Sequence, residues 1–190
     1  MNRFHRWFCR TDLWQRMLNE KVIPWALKGT EMGGEILEIG PGPGLTTNIL
    51  RQRFPRMTCI EIDQRLASSL SRRMQNTNVT VVEGSATDMP FPDNSFSGVV
   101  SFTMLHHVPS PQLQDQLIAE AFRVLRPGGT FAGTDSTLSP SFRLMHLWDT
   151  MVIVPPETFG ARLEAAGFTD VFVDRVKKAF RFRARRPPAA

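Results

Sequence analysis

Ile36-Leu37-Glu38-Ile39-Gly40-Pro41-Gly42-Pro43-Gly44 decides the fold. An apolar run ends in three glycines at alternate positions, and Leu45-Thr46-Thr47-Asn48-Ile49-Leu50 then reads as the start of a helix. A strand feeding a tight glycine turn and a helix is how open α/β sheets receive a nucleotide-like ligand. Glycine suits the turn because the chain must reverse sharply, and a Cβ would hold a ligand off the backbone. The dinucleotide fingerprint needs a further glycine three positions after Gly44, where this chain has Thr47.

Working outward, Met57-Thr58-Cys59-Ile60-Glu61-Ile62-Asp63 reads as a second strand with an acidic end. Val79 to Glu83 leads into Gly84-Ser85-Ala86-Thr87-Asp88, and Gly98-Val99-Val100-Ser101-Phe102 into Met104-Leu105-His106-His107-Val108. Phe122-Arg123-Val124-Leu125-Arg126-Pro127-Gly128-Gly129-Thr130-Phe131 then carries a helix through a turn into another strand. With Glu38-x-Gly40-x-Gly42-x-Gly44, these blocks span roughly residues 36–135 and resemble the class I S-adenosylmethionine-dependent methyltransferases. Within that family the chain resembles the branch that includes ubiquinone and menaquinone C-methylating enzymes. The resemblance implies a seven-stranded α/β sheet in order 3-2-1-4-5-7-6, mostly parallel with the last strand antiparallel and helices on both faces. Alternation alone supports only a doubly wound sheet.

The chain reads as a single domain of 190 residues in three pieces. Residues 1–34 form an N-terminal helical cap, with Thr11 or Asp12 as N-cap and Pro24 kinking or ending the helix. In the core, residues 36–135, helices are expected near 45–54, 64–75 and 111–123, and later strands at 81–83, 98–102 and 130–133. In 136–190, an irregular segment precedes a helix from Pro155-Pro156-Glu157 to Ala166, closed by Gly167, and strands at 171–173 and 180–182.

The resemblance implies S-adenosylmethionine as cofactor, with the backbone at Gly40, Gly42 and Gly44 approaching its amino-acid portion and ribose. Glu38 either lies near the methionyl ammonium or braces the loop. Glu61 matches the ribose-binding acid, since a carboxylate accepts from both hydroxyls of a cis-diol, while Asp63 suits the N-cap of the next helix. Ile62 is an apolar wall for adenine. Ser85 stands where many relatives carry an aspartate that binds the adenine amine; Asp88 is a substitute acid, and the Ala86 N–H a donor to the ring. Ser97 is a second departure, where an aspartate is common.

Methyl transfer from a sulfonium is an in-line displacement favoured by orientation and exclusion of water. His106 and His107 are the candidate catalytic residues where an acceptor needs a base, against a loop-organising role; Asp135 and His146 are weaker candidates. Phe4, Trp7, Phe8, Trp14, Phe142, Met145, Leu147 and Trp148 offer either an apolar wall for a small aromatic acceptor or simply core.

Two distant cysteines, Cys9 and Cys59, imply neither a disulfide nor a metal site. With no run of ~18 apolar residues and no secretory pattern, a soluble, cytoplasmic protein is expected. Seven of the 23 Lys and Arg residues fall in 175–190 without an acidic residue, leaving 16 basic against 18 acidic elsewhere. Alternation in Ala179-Phe180-Arg181-Phe182-Arg183-Ala184-Arg185 favours a final strand with a solvated face over a nucleic-acid patch. Arg3-Phe4-His5-Arg6-Trp7-Phe8 allows peripheral membrane contact. Four readings compete: a small-molecule methyltransferase, favoured; a lipid methyltransferase; a nucleic-acid methyltransferase, against which the absence of Asn-Pro-Pro-aromatic after the fourth strand speaks; and a non-catalytic cofactor sensor, supported only by Ser85 and Ser97. The missing Tyr-x-x-x-Lys pair disfavours a nicotinamide oxidoreductase.

Overall fold

In the computed structural model, which describes residues 12–145 and 149–189, seven strands form one sheet in the order β3-β2-β1-β4-β5-β7-β6. They are β1 (Glu35–Ile39), β2 (Arg56–Glu61), β3 (Val79–Glu83), β4 (Phe96–Phe102), β5 (Leu125–Ser136), β6 (Thr169–Val176) and β7 (Ala179–Arg185). The first five pair in parallel, and β7 runs antiparallel to both β5 and β6. Strand order reverses between β1 and β4, so their carboxyl ends open a crevice there.

The helices cover both faces. On one face α5 (Pro111–Val124) and α7 (Pro156–Ala165) bury Leu117, Ile118, Phe159 and Leu163 against Leu37, Val99 and Phe131. On the other, α2 (Ile23–Ala26), α3 (Leu45–Leu50) and α4 (Gln64–Arg73) bury Ile23, Leu50 and Leu70 against Ile36, Cys59 and Val100. Central parallel strands buried on both sides need apolar residues at successive positions, as Ile36-Leu37 and Val99-Val100 show.

Three local expectations shift. Of the two outcomes expected at Pro24, a kinked or an ended helix, the helix is perturbed and does not end there. Here α1 (Asp12–Met17) widens into a π turn over Leu18–Val22, in which the Ile23 N–H donates to the Leu18 carbonyl, and Pro24 opens α2. A proline ring collides with the carbonyl four residues back, and the wider turn relieves that collision. Second, β5 begins at Leu125, not near Thr130. Leu125 already pairs with Phe96, and the intervening Arg126 to Gly129 bulge out before Thr130 pairs with Gly98.

Third, the basic face of β7 is only partly left to solvent: Arg185 is exposed, while Arg181 and Arg183 are half-buried. Arg181 donates to Asp174 (3.0 Å) and to the Trp25 carbonyl (2.7 Å), and its guanidinium lies over the Trp25 and Phe172 rings. Arg183 donates to the Gly29 carbonyl, and Arg186 to those of Phe122, Arg123 and Leu125. Phe180, Phe182 and Ala184 point the other way into the core, so the apolar-basic alternation is that of a strand with one buried face and one partly covered, partly solvated face. A short helix, α6 (Pro140–Met145), lies between β5 and α7.

Candidate active site

A cavity of about 490 Å³ opens at the carboxyl ends of β1, β2, β3 and β4. The loop after β1 forms one wall, and its three glycines do different work. All three have positive φ, which side chains with a Cβ rarely adopt. A Cβ on Gly40 would collide with Met104, and one on Gly44 with Leu70, whereas at Gly42 it would meet nothing within 4 Å. Gly40 and Gly44 are therefore required for packing, while Gly42 leaves its backbone facing open cavity.

Beneath the loop, Glu38 is buried at 1% exposure and is not among the cavity-lining residues. Its carboxylate accepts from the Thr46 hydroxyl, the Thr47 hydroxyl (2.6 Å) and the Cys59 thiol (3.4 Å). Burial pushes its pKa up, with the two threonine hydroxyls pulling the other way. Of its two proposed roles, this position supports bracing, because Glu38 ties the end of β1 to the first turn of α3. Burial, together with the charge of Glu38, also holds the Cys59 thiol well above its usual value, which leaves Cys59 inert.

Glu61 sits differently. At the end of β2 it lines the cavity, and its two carboxylate oxygens accept the Gly42 N–H (2.9 Å) and the Asp63 N–H (3.0 Å). Each oxygen keeps further acceptor capacity for a diol. Asp63 also borders the cavity, but its Oδ1 is engaged by the N–H groups of Arg65 (2.9 Å) and Leu66 (3.1 Å), so it N-caps α4. Ile62 is 74% exposed at the cavity wall, a large apolar surface with no protein partner covering it.

Ser85, Ala86 and Thr87 line the cavity beyond β3. The Ser85 hydroxyl shares a 2.8 Å hydrogen bond with that of Thr87 and accepts the Thr87 N–H. Asp88 is exposed and does not line the cavity; its N–H donates to the Ser85 carbonyl. Ser97 lies at the far, amino end of β4, where its hydroxyl joins both the N–H and the carbonyl of Glu35. It stitches β4 to β1 and has no part in the cavity, so it lends nothing to a sensor reading.

The two histidines part company. His106 is 1% exposed and outside the lining; its Nδ1 lies 2.5 Å from Oδ1 of the fully buried Asp135, whose Oδ2 accepts the His106 N–H. Its ring packs edge-on to Phe142, 4.9 Å away. His107 lines the cavity, with Nδ1 3.2 Å from the Thr150 carbonyl. Leu18, Thr103, Met104, Asp149 and Thr150 also line it, and none was singled out as a lining residue from the sequence. Thr103 carries a visible mark of its position: φ is +50°, an outlier for a β-branched residue. Phe4, Trp7, Phe8, His146, Leu147, Trp148, Cys9 and the Arg3–Phe8 segment lie outside the described residues. Among the described residues there is no cluster of three or more His, Cys, Asp or Glu able to hold a metal, and no helix long and apolar enough to cross a membrane.

Residues 37–133 match a methyltransferase domain family. The chain belongs to the class I S-adenosylmethionine-dependent methyltransferases. It is 31% identical over 145 residues to a rice 2-methyl-6-phytyl-1,4-hydroquinone methyltransferase, covering 74% of this chain and 40% of that one. A demethylmenaquinone methyltransferase of Tropheryma whipplei is 29% identical over 154 residues, 75% of this chain and 62% of the relative. The chain thus spans less than two thirds of either. Among solved structures, the putative methyltransferase in complex with the Haloferax volcanii Trm112 activator is similar, with a TM-score of 0.76 at 17% identity, covering 98% of this chain and 97% of that one.

Proposed function

We propose that this methyltransferase domain binds S-adenosylmethionine in the β1–β4 crevice and transfers its methyl group to a small, apolar or aromatic acceptor. The observation that carries this reading is the pairing of Gly42 with Glu61. Gly42 presents bare backbone to open cavity, and the neighbouring carboxylate retains acceptor capacity for a ribose diol. A Cβ at Gly42 would occupy that space, so the cradle fits a ligand laid against the loop.

When bound, the cofactor supplies an activated methyl group, and the chain has to orient the partners and exclude water. Glu61 would fix the ribose, Ile62 would lie along the adenine, and Ser85 and the Ala86 N–H would face its edge. Gly40 and Gly42 would carry the amino-acid end; Gly44, expected there too, lies outside the cavity lining against Leu70 and would only turn the loop into α3, with Glu38 holding the loop from below. The apolar walls contributed by Leu18, Phe102, Met104 and Val108 support a mostly apolar acceptor. The hydroquinone and demethylmenaquinone relatives act on acceptors of that character.

Calorimetry with S-adenosylmethionine, S-adenosylhomocysteine and NAD tests the cofactor: the first two bind and NAD does not. Release of S-adenosylhomocysteine with an acceptor panel then separates an enzyme from a sensor. A protein that binds the cofactor tightly but releases no product with any acceptor would favour the sensor.

A further inference from the structure

Between β3 and β4, residues 84–95 belong to no helix or strand, yet Ser85, Ala86 and Thr87 among them form the cavity wall that would face the edge of adenine. We propose that Glu120 and Arg123, on α5 and outside that wall, are positioning residues for purine recognition: they hold the 85–88 turn in a fixed setting, and the chain thereby discriminates between a 6-amino and a 6-oxo purine on the same ligand skeleton. The proposal rests on the methyltransferase reading and deepens it.

A segment without a ladder of its own is fixed only by its ends and by the side chains that reach it. At its start, the Gly84 N–H donates to the Glu61 carbonyl (3.0 Å), which ties the segment to β2. The bonds inside the turn run from the Asp88 N–H to the Ser85 carbonyl and between the Ser85 and Thr87 hydroxyls. They close the turn on itself and leave its tilt against the sheet unset. Glu120 and Arg123 supply the missing anchor. The Glu120 carboxylate accepts the Met89 N–H (2.6 Å), and the Arg123 guanidinium donates to the carbonyls of Met89 (2.9 Å) and Phe91 (2.7 Å). Met89, directly after the turn, is thus gripped on both of its backbone polar groups.

The grip is stiff. Glu120 and Arg123 join through two parallel bonds of 2.7 and 2.8 Å, the fork that guanidinium and carboxylate favour. Arg123 pulls the Glu120 carboxyl below its ordinary value, more than burial raises it, so the pair is ionised. Arg123 also donates to Asp93 (2.8 Å), and its carbonyl accepts the Asn94 N–H (3.1 Å), which holds the far end of the segment. Behind the pair, α5 buries Leu117, Ile118, Ala121 and Val124 in the core that also takes Met89. Recognition needs this stiffness because a backbone N–H can only donate. Adenine presents an acceptor nitrogen beside its amine, whereas hypoxanthine presents an N–H beside a carbonyl oxygen. The Ala86 N–H therefore suits the first base and is left unpaired against the second. A turn free to tilt would offer either base a matching group. The Ser85 and Thr87 hydroxyls donate or accept as required, so selectivity falls on the peptide that the clamp holds.

Calorimetry with S-adenosylhomocysteine and S-inosylhomocysteine, which differ only in the 6-amino or 6-oxo purine, tests this in the wild type, Glu120→Ala, Glu120→Gln and Arg123→Lys. The wild type should prefer S-adenosylhomocysteine by at least about 10-fold. Glu120→Ala releases the Met89 N–H and should cut that preference to below about threefold, by weakening the adenine ligand while the hypoxanthine ligand stays within about twofold. Glu120→Gln keeps an amide oxygen for Met89 and should retain most of the preference. Arg123→Lys keeps the charge but loses the fork, and should lower the preference by at least about threefold. Chemical denaturation identifies the variants that fold; should Glu120→Ala not fold, Arg123→Lys takes its place. A clamp that serves stability alone would weaken both ligands by one factor or neither, so an unchanged ratio in a folded Glu120→Ala or Arg123→Lys overturns the proposal. A wild type that binds the two ligands equally overturns it too. In both cases tight binding of S-adenosylhomocysteine leaves the cofactor site standing. Failure of S-adenosylhomocysteine to bind the wild type at all would sink the methyltransferase reading beneath it.

Discussion

The two halves of the cavity are built on opposite plans. At the ends of β1 and β2, the working parts come from one continuous stretch, residues 38–63, and their hydrogen bonds close within that stretch: Thr46 and Thr47 to Glu38, Asp63 and Gly42 to Glu61. At the ends of β4 and β5, every decisive contact joins distant segments: His106 to Asp135, His107 to Thr150, Gln114 to Val152. A half written in one stretch gives a common ligand a fixed seat. A half assembled from four segments can change its acceptor by altering any one of them, as the differing substrates of related enzymes on this fold require.

The sharpest way to break this comparison is at Gly42. Replacing Gly42 by Val should abolish S-adenosylmethionine binding by calorimetry, a loss above about 3 kcal/mol, while the fold survives with a strain cost of roughly 1–2 kcal/mol for the positive φ. Gly44→Val should instead unfold the protein, because its Cβ meets Leu70 in the core. If the two mutants exchange phenotypes, the open face of the loop has been misplaced.

Next in size is Glu61 against Asp63. Glu61→Ala removes a charged acceptor from the cavity and from the Gly42 N–H, and should weaken cofactor binding by roughly 1.5–3 kcal/mol. Asp63→Ala loses the cap of α4, and should lower stability by about 1 kcal/mol in chemical denaturation with a smaller effect on binding. Equal losses of affinity would mean that the two carboxylates share the ribose.

This contrast also explains what was legible in the sequence. Glu61 and Asp63 could be told apart because cap chemistry and strand register are local: an aspartate directly before Gln64 caps, and the residue two back faces the same way. The sheet order was legible because the blocks follow one another as the family's do, and β1 to β5 read as apolar runs between turns. The location of Glu38 under the loop was not, since bracing and ligand contact demand the same residue at the same place. Nor was the division between His106 and His107. Adjacent residues carry the same local signal, and only the tertiary placement of Asp135 and Thr150 separates them. The partners of Arg181 and Arg183 were missed for the same reason, since Trp25 and Gly29 come from the other end of the chain.

A smaller effect probes the brace itself. Glu38 has its pKa raised by burial, so the folded state holds that proton more tightly than the unfolded chain. Its contribution is therefore most favourable at low pH, and is lost as pH rises from the ordinary carboxyl range through the raised folded value. Glu38→Gln cannot ionise and should flatten that decline in denaturation measured across the interval. A decline that persists unchanged would place its source elsewhere.

The smallest effect is expected at Ser85, where the family resemblance leads one to expect an aspartate. Ser85→Asp puts a charged acceptor at the cavity edge, and such a hydrogen bond is roughly twice as strong as a neutral one. Two costs oppose it. The Ser85 hydroxyl now joins Thr87 through both its hydroxyl and its N–H, and a carboxylate must also be partly desolvated when adenine covers it. The acceptance of the Thr87 N–H survives in aspartate, which forms the same local turn, so only the desolvation weighs heavily. The net change should be a gain below about 1 kcal/mol in cofactor affinity. Ser85→Ala serves as the control: it removes the bonds to Thr87 and should leave affinity equal or slightly lower. A gain for Asp over both Ser and Ala would show that adenine reaches this residue, and that the wild type operates with a weaker contact than a carboxylate would make. Identical affinities for all three side chains would put the adenine amine beyond Ser85, and with it would go the last support for a low-affinity sensor.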